Sequence, residues 1–376
     1  MQKNSKIAII LGTNAELIKC APVMLELKKQ GIPYYFIHTG QHSINNYCDL
    51  FEIKNPDFFM SKETKKNLKF WSKINLRVFF WNVKTMFAIR KLIKKLNLKY
   101  VLYHGDTMNT AMALGASSIV LNPFKKSWKN VHLEGGLRSG SIKEPMPEEF
   151  TRRVVGLFTD ISLVPSLVAK QNLEKSINFV KGKVIHTGNT IIDSVNLAKK
   201  ISKRNKVSNF KHKKFVLISI HRYENLKNLD RMKKIIELIE YFKIPVYWPL
   251  HENTKRVLSR FNLLERIQKN KNIELLSPLD YPTFLHHFEK SALVFCDGGS
   301  MQEESLVFKK PCIIMRNTTE RPEGLETNYQ FLSKFNLEKT KEKIDEYLSP
   351  NFKIKNHKNP YGEKGVSKKI VEVLKK

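Results

Sequence analysis

Short runs of aliphatic and β-branched residues alternate with stretches of helical period along the whole chain. Apolar runs at 7–11, 34–38, 100–104, 131–133, 161–164 and 183–186 predict six strands, and runs at 215–220, 246–249, 273–276, 293–296 and 312–315 predict five more. Helix-period segments lie between them, among them 15–29, 108–119, 147–158, 229–241 and 301–308. Strands that are apolar throughout, alternating with helices, predict an α/β protein of parallel sheets covered on both faces. The pattern breaks at 198–214, where Lys199, Lys200, Lys203, Arg204, Lys206, Lys211, Lys213 and Lys214 crowd into a stretch with little core-type period. A charge run of this kind reads as a solvated connection, and it separates the first six strands from the last five. Two doubly wound domains are therefore expected, 1–190 and 191–362. Ligands of such sheets sit outside the carboxyl ends of the strands, which for two facing domains means the cleft between them.

Composition narrows the class. The 376 residues carry 41% hydrophobic and 27% charged side chains, enough apolar material for sizeable cores. Lys and Arg number 66 against 35 Asp and Glu, a formal net charge of +31 that favours anionic partners. The apolar run after Lys6 has only five residues, too few for a secretory signal, and no window reaches the roughly 18 apolar residues of a membrane span. Cys20, Cys48, Cys296 and Cys312 show no metal-like spacing. A cytoplasmic, reduced, metal-free protein is expected. The basic residues are spread along the chain without a groove-reading motif, so nucleic acid is not an expected partner.

Polar residues that could carry chemistry cluster at predicted strand ends. His104-Gly105-Asp106-Thr107 follows one strand, and Glu134-Gly135-Gly136-Leu137-Arg138-Ser139-Gly140 follows the next. Each carboxylate alone would serve as a cap or loop residue, but two at adjacent strand ends push one another's ionisation apart, as acid–base chemistry requires. Glu148 and Glu149 open a helix, where acids offset the helix dipole and pair with Arg152 and Arg153 four residues on. His221-Arg222 at a strand end suits a phosphate. Asp297-Gly298-Gly299-Ser300 leads into a helix whose amino end is open to one, with Glu304 a turn further in to accept a ribose or face solvent. The spacing is neither GxGxxG nor a Walker loop. Residues 316–324 mix two arginines, two threonines and acids too densely for an ordinary loop. These pieces describe a site for a nucleotide diphosphate flanked by acids and a histidine.

Taken with Met146-Pro147-Glu148-Glu149, Thr187-Gly188-Asn189-Thr190-Ile191-Ile192-Asp193, His221-Arg222-Tyr223-Glu224-Asn225, Thr318-Thr319-Glu320-Arg321-Pro322-Glu323 and Asn359-Pro360-Tyr361-Gly362, these motifs resemble the non-hydrolysing UDP-N-acetylglucosamine 2-epimerases, in family order and from Gly12 to Gly362. The resemblance implies a glycosyltransferase-B architecture of two Rossmann-like domains, with UDP on the second, a homodimer through the first, and a last helix, 363–376, crossing back onto the first. It implies interconversion of UDP-GlcNAc and UDP-ManNAc, or of a related UDP-2-acetamido sugar, for surface polysaccharide. In that reaction UDP leaves C1 as the C2 proton is removed, and then re-adds to the 2-acetamidoglucal. No nicotinamide or metal takes part.

By the same resemblance Asp106, Glu134, Glu148 and His221 match the catalytic positions. Lys19, Arg138, Phe284, Gly298, Gly299, Ser300, Glu304 and Arg321 match substrate-binding ones. The chain departs from the pattern at Asn14, where the family has arginine, at Gly298, where it has serine, and at Gly135, where it has alanine as against the glycine of hydrolysing relatives. It departs again at Ser43-Ile44-Asn45, in a region that in bacterial members binds a regulatory UDP-GlcNAc. The alternatives are a hydrolysing 2-epimerase, a glycosyltransferase of the same architecture, and a non-catalytic sugar-nucleotide binder. Residues 65–99, rich in Phe, Trp and Lys, predict a basic aromatic helix that packs at an interface or lies on an anionic membrane surface.

Overall fold

The computed structural model describes residues 6–41, 44–60, 76–118, 127–141, 148–176, 182–205 and 210–376. The chain divides into two compact units: Met1–Arg138, Met146–Ser194 and Tyr361–Lys376 form the first, and Ser139–Pro145 with Val195–Pro360 the second.

The first unit is built on β1 (Ile7–Leu11), β2 (Tyr34–His38), β3 (Phe58–Phe59), β4 (Tyr100–His104), β5 (Lys129–Leu133), β6 (Ile161–Val164) and β7 (Lys183–His186). All pair in parallel, in the order β3-β2-β1-β4-β5-β6-β7. The connections run through α1 (Asn14–Lys29), α2 (Asn45–Leu50), α3 (Leu76–Lys95), α4 (Met108–Ser117), α5 (Glu148–Phe158) and α6 (Leu167–Glu174), and α7 (Ile191–Arg204) follows β7. β1 and β4 are buried along their whole length, which is why their sequences do not alternate. Ala8, Ile10, Ile37, Val101, Tyr103 and Met112 form the core together with Ile89 and Ile93 of α3. The other face of α3 exposes Phe80, Lys84, Phe87, Lys91, Lys94 and Lys95, so the predicted amphipathic helix is present from 76 on; 65–75 lie outside the described residues.

The second unit repeats the design with β8 (Val216–Ser219), β9 (Val246–Pro249), β10 (Ile273–Leu276), β11 (Leu293–Cys296), β12 (Cys312–Ile314) and β13 (Gln330–Leu332), in the order β10-β9-β8-β11-β12-β13. These strands too are all parallel. Its helices are α8 (Tyr223–Leu226), α9 (Leu229–Tyr241), α10 (Glu252–Arg260), α11 (Leu264–Lys269), α12 (Tyr281–Lys290), α13 (Gly299–Phe308) and α14 (Leu337–Leu348), with a 3-10 turn at Pro322–Glu326. α9 shows the logic of the layers: Met232, Ile235, Ile236, Leu238 and Ile239 are buried on one face, each contributing roughly 1.5–3 kcal/mol by leaving water.

Two strands, β3 and β13, were not predicted, since two or three residues are too few to show a period. The predicted solvated connection at 198–214 holds at 210–214, which lie outside helix and strand, but is corrected at 198–204. Ala198, Ile201 and Ser202 are buried in α7, and the lysines between them are that helix's outer face; 206–209 lie outside the described residues. α15 (Val366–Lys375) packs on α1 in the first unit. Asp193, in the first turn of α7, accepts hydrogen bonds from Gly365 N (2.8 Å) and Ser367 N (2.7 Å) and so caps α15. Gly188 gives the Tyr361 carbonyl its room, as a Cβ there would stand 2.7 Å from that oxygen. The Thr187–Asp193 motif thus anchors the end of the chain.

Candidate active site

In each sheet the chain runs outward one way from the first strand, then returns to build the other way. The two switch points lie between β1 and β4 and between β8 and β11. Both carry the polar clusters.

At the first, Thr13 and Glu16 form a reciprocal cap on α1. The Glu16 carboxylate accepts from Gly12 N (2.8 Å) and Thr13 N (3.0 Å), and the Thr107 hydroxyl beyond β4 also donates to it. Burial pushes the Glu16 carboxyl up despite these bonds. One turn further along α1, the buried Lys19 ammonium pairs with Glu134 Oε2, and His104 Nε2 approaches the same oxygen at 3.4 Å. Glu134 follows β5 with φ 63°, a left-handed conformation that costs a non-glycine residue about 1 kcal/mol. Gly136, two residues on, has φ 87°, and a Cβ on it would lie 2.2 Å from the Ala169 carbonyl. His132, on the same strand, donates from Nε2 to Gly105 O at 2.7 Å; burial pulls it down to about 4, so it stays neutral at pH 7.

Asp106 Oδ2 accepts from Arg152 Nε (2.8 Å) and Nη2 (2.5 Å). Arg152 Nη1 reaches Glu149 at 3.0 Å, and Glu149 also takes Arg153 at 3.2 Å. Glu149 is fully buried and Arg152 is 5% exposed, so the pair fixes α5 against the β4–α4 turn. Half-buried Glu148 stands four residues before Arg152, on the same face of α5. The structure therefore gathers Lys19 and Glu134, with Asp106 two residues beyond the His104 that touches Glu134, and puts Glu148 on the helix face that clamps Asp106. Arg138 donates to its neighbour's carbonyl, Leu137 O, at 2.8 Å, and burial lowers its pKa. Met146 and Pro147 lie outside the described residues, as do His42 and Ser43.

At the second switch point the organiser is Asp297, fully buried after β11. Its carboxylate accepts from His221 N (3.1 and 3.2 Å), Arg222 N (2.9 Å) and Asn225 Nδ2 (3.0 Å), closing the turn that presents His221. Gly298 caps α13 without a side-chain hydrogen bond, and a Cβ on it would meet His221 Cε1 at 3.3 Å. The missing serine thus gives the histidine room, and Ser300 stands exposed on the first turn. A Cβ on Gly299 would come within 2.4 Å of Arg321 Nη1. The Arg321 guanidinium is held by Glu303 (2.6 Å) and Glu320, while Arg316 pairs with Glu320 at 2.8 Å. The polar density of 316–324 is this buried ion network, tied to α13 by the Thr319 hydroxyl on Gln302 Oε1 at 2.6 Å. Glu304 is 1% exposed and accepts from Tyr281 OH at 2.9 Å; it is not a solvated face. Phe284 is half-buried on α12, its ring 6.3 Å from that of Phe288.

Sequence reasoning did not single out the Arg152–Glu149 clamp beyond ordinary helix pairs, nor the organising role of Asp297. The signal for Asp297 was its place at a strand end; the signal for Arg152 was the i,i+3 spacing to Glu149. Among the described residues no group of His, Cys, Asp and Glu is arranged to hold a metal, and no helix is long and apolar enough to cross a membrane.

Comparison with known proteins agrees with this geometry. The sequence pattern of the UDP-N-acetylglucosamine 2-epimerase family matches residues 25–375. The UDP-N-acetylglucosamine 2-epimerase of Methanocaldococcus jannaschii is 32% identical, over 98% of either chain, and that of Bacillus subtilis is 32% identical over 99% of this chain and 95% of its own. The crystal structure of the Methanocaldococcus jannaschii enzyme in complex with UDP-GlcNAc and UDP superposes with a TM-score of 0.82 at 29% identity, covering 98% of this chain and 99% of that one. The Neisseria meningitidis enzyme bound to UDP-GlcNAc does so with a TM-score of 0.80, also at 29% identity, covering 98% and 99%. With two doubly wound parallel sheets, polar clusters at both switch points and a family match across nearly its whole length, the chain belongs to the UDP-N-acetylglucosamine 2-epimerase family.

Proposed function

We propose that the protein interconverts UDP-GlcNAc and UDP-ManNAc, or the C2 epimers of a related UDP-2-acetamido sugar, without releasing free sugar, as a precursor step to surface polysaccharide in the cytoplasm. The second unit holds the nucleotide. The uncapped N–H groups at the start of α13 and the pre-aligned Arg321 take the diphosphate, Glu304 the ribose, and Phe284 the base. The first unit works at C2. A carboxylate removes the C2 proton as the C1–O bond breaks and its electron pair leaves with UDP, giving 2-acetamidoglucal. UDP then adds back to C1 while a proton is delivered to the opposite face of C2. Asp106, Glu134 and Glu148 supply the base and the acid, and Lys19, Arg138 and His221 meet developing charge.

The observation that carries this reading is the treatment of Glu134 and Asp106. Each carboxylate pairs with a buried cation, Glu134 Oε2 with Lys19 and Asp106 Oδ2 with Arg152, at neighbouring strand ends beside a switch point. A glycosyltransferase has no C2 proton to move and no need of such a pair. Gly135, the feature shared with hydrolysing relatives, has a packing reason: a Cβ there would crowd His132 Nδ1 at 3.2 Å and Ser162 Cβ at 3.3 Å. Chromatography of UDP-GlcNAc after incubation with the protein tests the reading. A second UDP-sugar peak that reaches a fixed ratio supports it, and steady accumulation of UDP with free N-acetylmannosamine contradicts it.

A further inference from the structure

His104 ends β4 and is 5% exposed, yet neither ring nitrogen has a hydrogen-bond partner among the described residues. The Oε2 of Glu134 lies 3.4 Å from His104 Nε2 and also receives the Lys19 ammonium. The neighbouring histidine, His132, has the opposite fate, its Nε2 spent on the Gly105 carbonyl as a strut between β5 and the β4–α4 turn. A buried imidazole with polar atoms unspent, set against a carboxylate that is itself held in a left-handed backbone, is an expensive arrangement that packing alone does not require. The titratable and charged groups around it are Glu16 and Lys19 from α1, His132 and Glu134 from β5 and its loop, and Asp106 on its own turn with Arg152 behind it.

We propose that His104 is a positioning residue for Glu134: with Lys19 it fixes one carboxylate oxygen from two sides and favours the anion that enters the C2 proton transfer. The inference rests on the epimerase reading. His104→Phe keeps a ring and removes both nitrogens; His104→Gln keeps a donor near the place of Nε2, and His104→Asn loses it. Loss of the donor makes the carboxylate easier to protonate. The acid limb of the kcat/KM profile should therefore move up by about half a pH unit or more in His104→Phe. C2 deuterium exchange of UDP-GlcNAc at neutral pH should slow by about tenfold or more, with UDP affinity unchanged. His104→Gln should lie closer to the wild type on both measures. If His104→Phe does not fold, the same ordering of Gln above Asn carries the test. An acid limb that coincides in all variants overturns the proposal, as does equal impairment of Gln, Asn and Phe. Absence of exchange in the wild-type protein overturns the epimerase reading itself and this inference with it.

Discussion

At the scale of single residues, side chains of the candidate site are held in place by other groups of the protein. Glu134 is placed by its own left-handed backbone and by Lys19, so removing its charge should leave the nucleotide-binding groups of the second unit untouched. Glu134→Gln should lower turnover of UDP-GlcNAc by at least about a thousandfold while the UDP dissociation constant, measured by calorimetry, stays within about twofold. Lost UDP affinity would make Glu134 a structural residue. Gly299 supplies the complementary case. A methyl group there would stand 2.4 Å from the Arg321 guanidinium, which Glu303 and Glu320 prevent from yielding freely. Gly299→Ala should therefore weaken UDP binding by about tenfold, the loss of one charge-assisted contact, with the melting temperature little changed. Unchanged affinity would move the diphosphate away from Arg321.

At the scale of elements, the turns after strands are as demanding as the strands themselves. Gly136 combines φ 87° with a Cβ position 2.2 Å from the Ala169 carbonyl, so Gly136→Ala must strain the loop or separate it from α6. A loss of about 2–4 kcal/mol in unfolding free energy is expected from a urea titration, and a stability equal to wild type would show that the loop is free to move. Strand positions were legible because a buried parallel strand is apolar throughout, and the carboxylates were legible because they stand at the ends of such strands. Asp297 was visible as a residue but not as a role. It works by accepting N–H groups of the turn after β8, and that turn reaches it only because β8 and β11 pair, an adjacency no local pattern encodes. The same limit hid the use of Thr187–Asp193, whose capping of α15 joins residues more than 170 positions apart. The 198–214 run misled over 198–204 for a different reason: lysines on the outer face of α7 outnumber the few buried positions that keep its period.

At the scale of the whole molecule, the family membership and the two sheets carry more than the charge does, since a net charge of +31 fits any anionic ligand. The surface worth testing is the outer face of α3, where Phe87 is 52% exposed among Lys84, Lys91, Lys94 and Lys95. The sequence offered two occupants for this face, and Phe87→Asp separates them: a lower mass than wild type in light scattering at micromolar concentration assigns it to self-association, and an unchanged mass with binding to anionic vesicles lost assigns it to a lipid surface. The proposed function requires the protein to move a proton at C2 of a UDP-2-acetamido sugar. Proton NMR of UDP-GlcNAc incubated with the protein in D2O tests it most directly. Deuterium at C2 with UDP-ManNAc growing in is the result expected, and a C2 proton that stays in place after prolonged incubation of both UDP-GlcNAc and 6-deoxy UDP-2-acetamido sugars would contradict it.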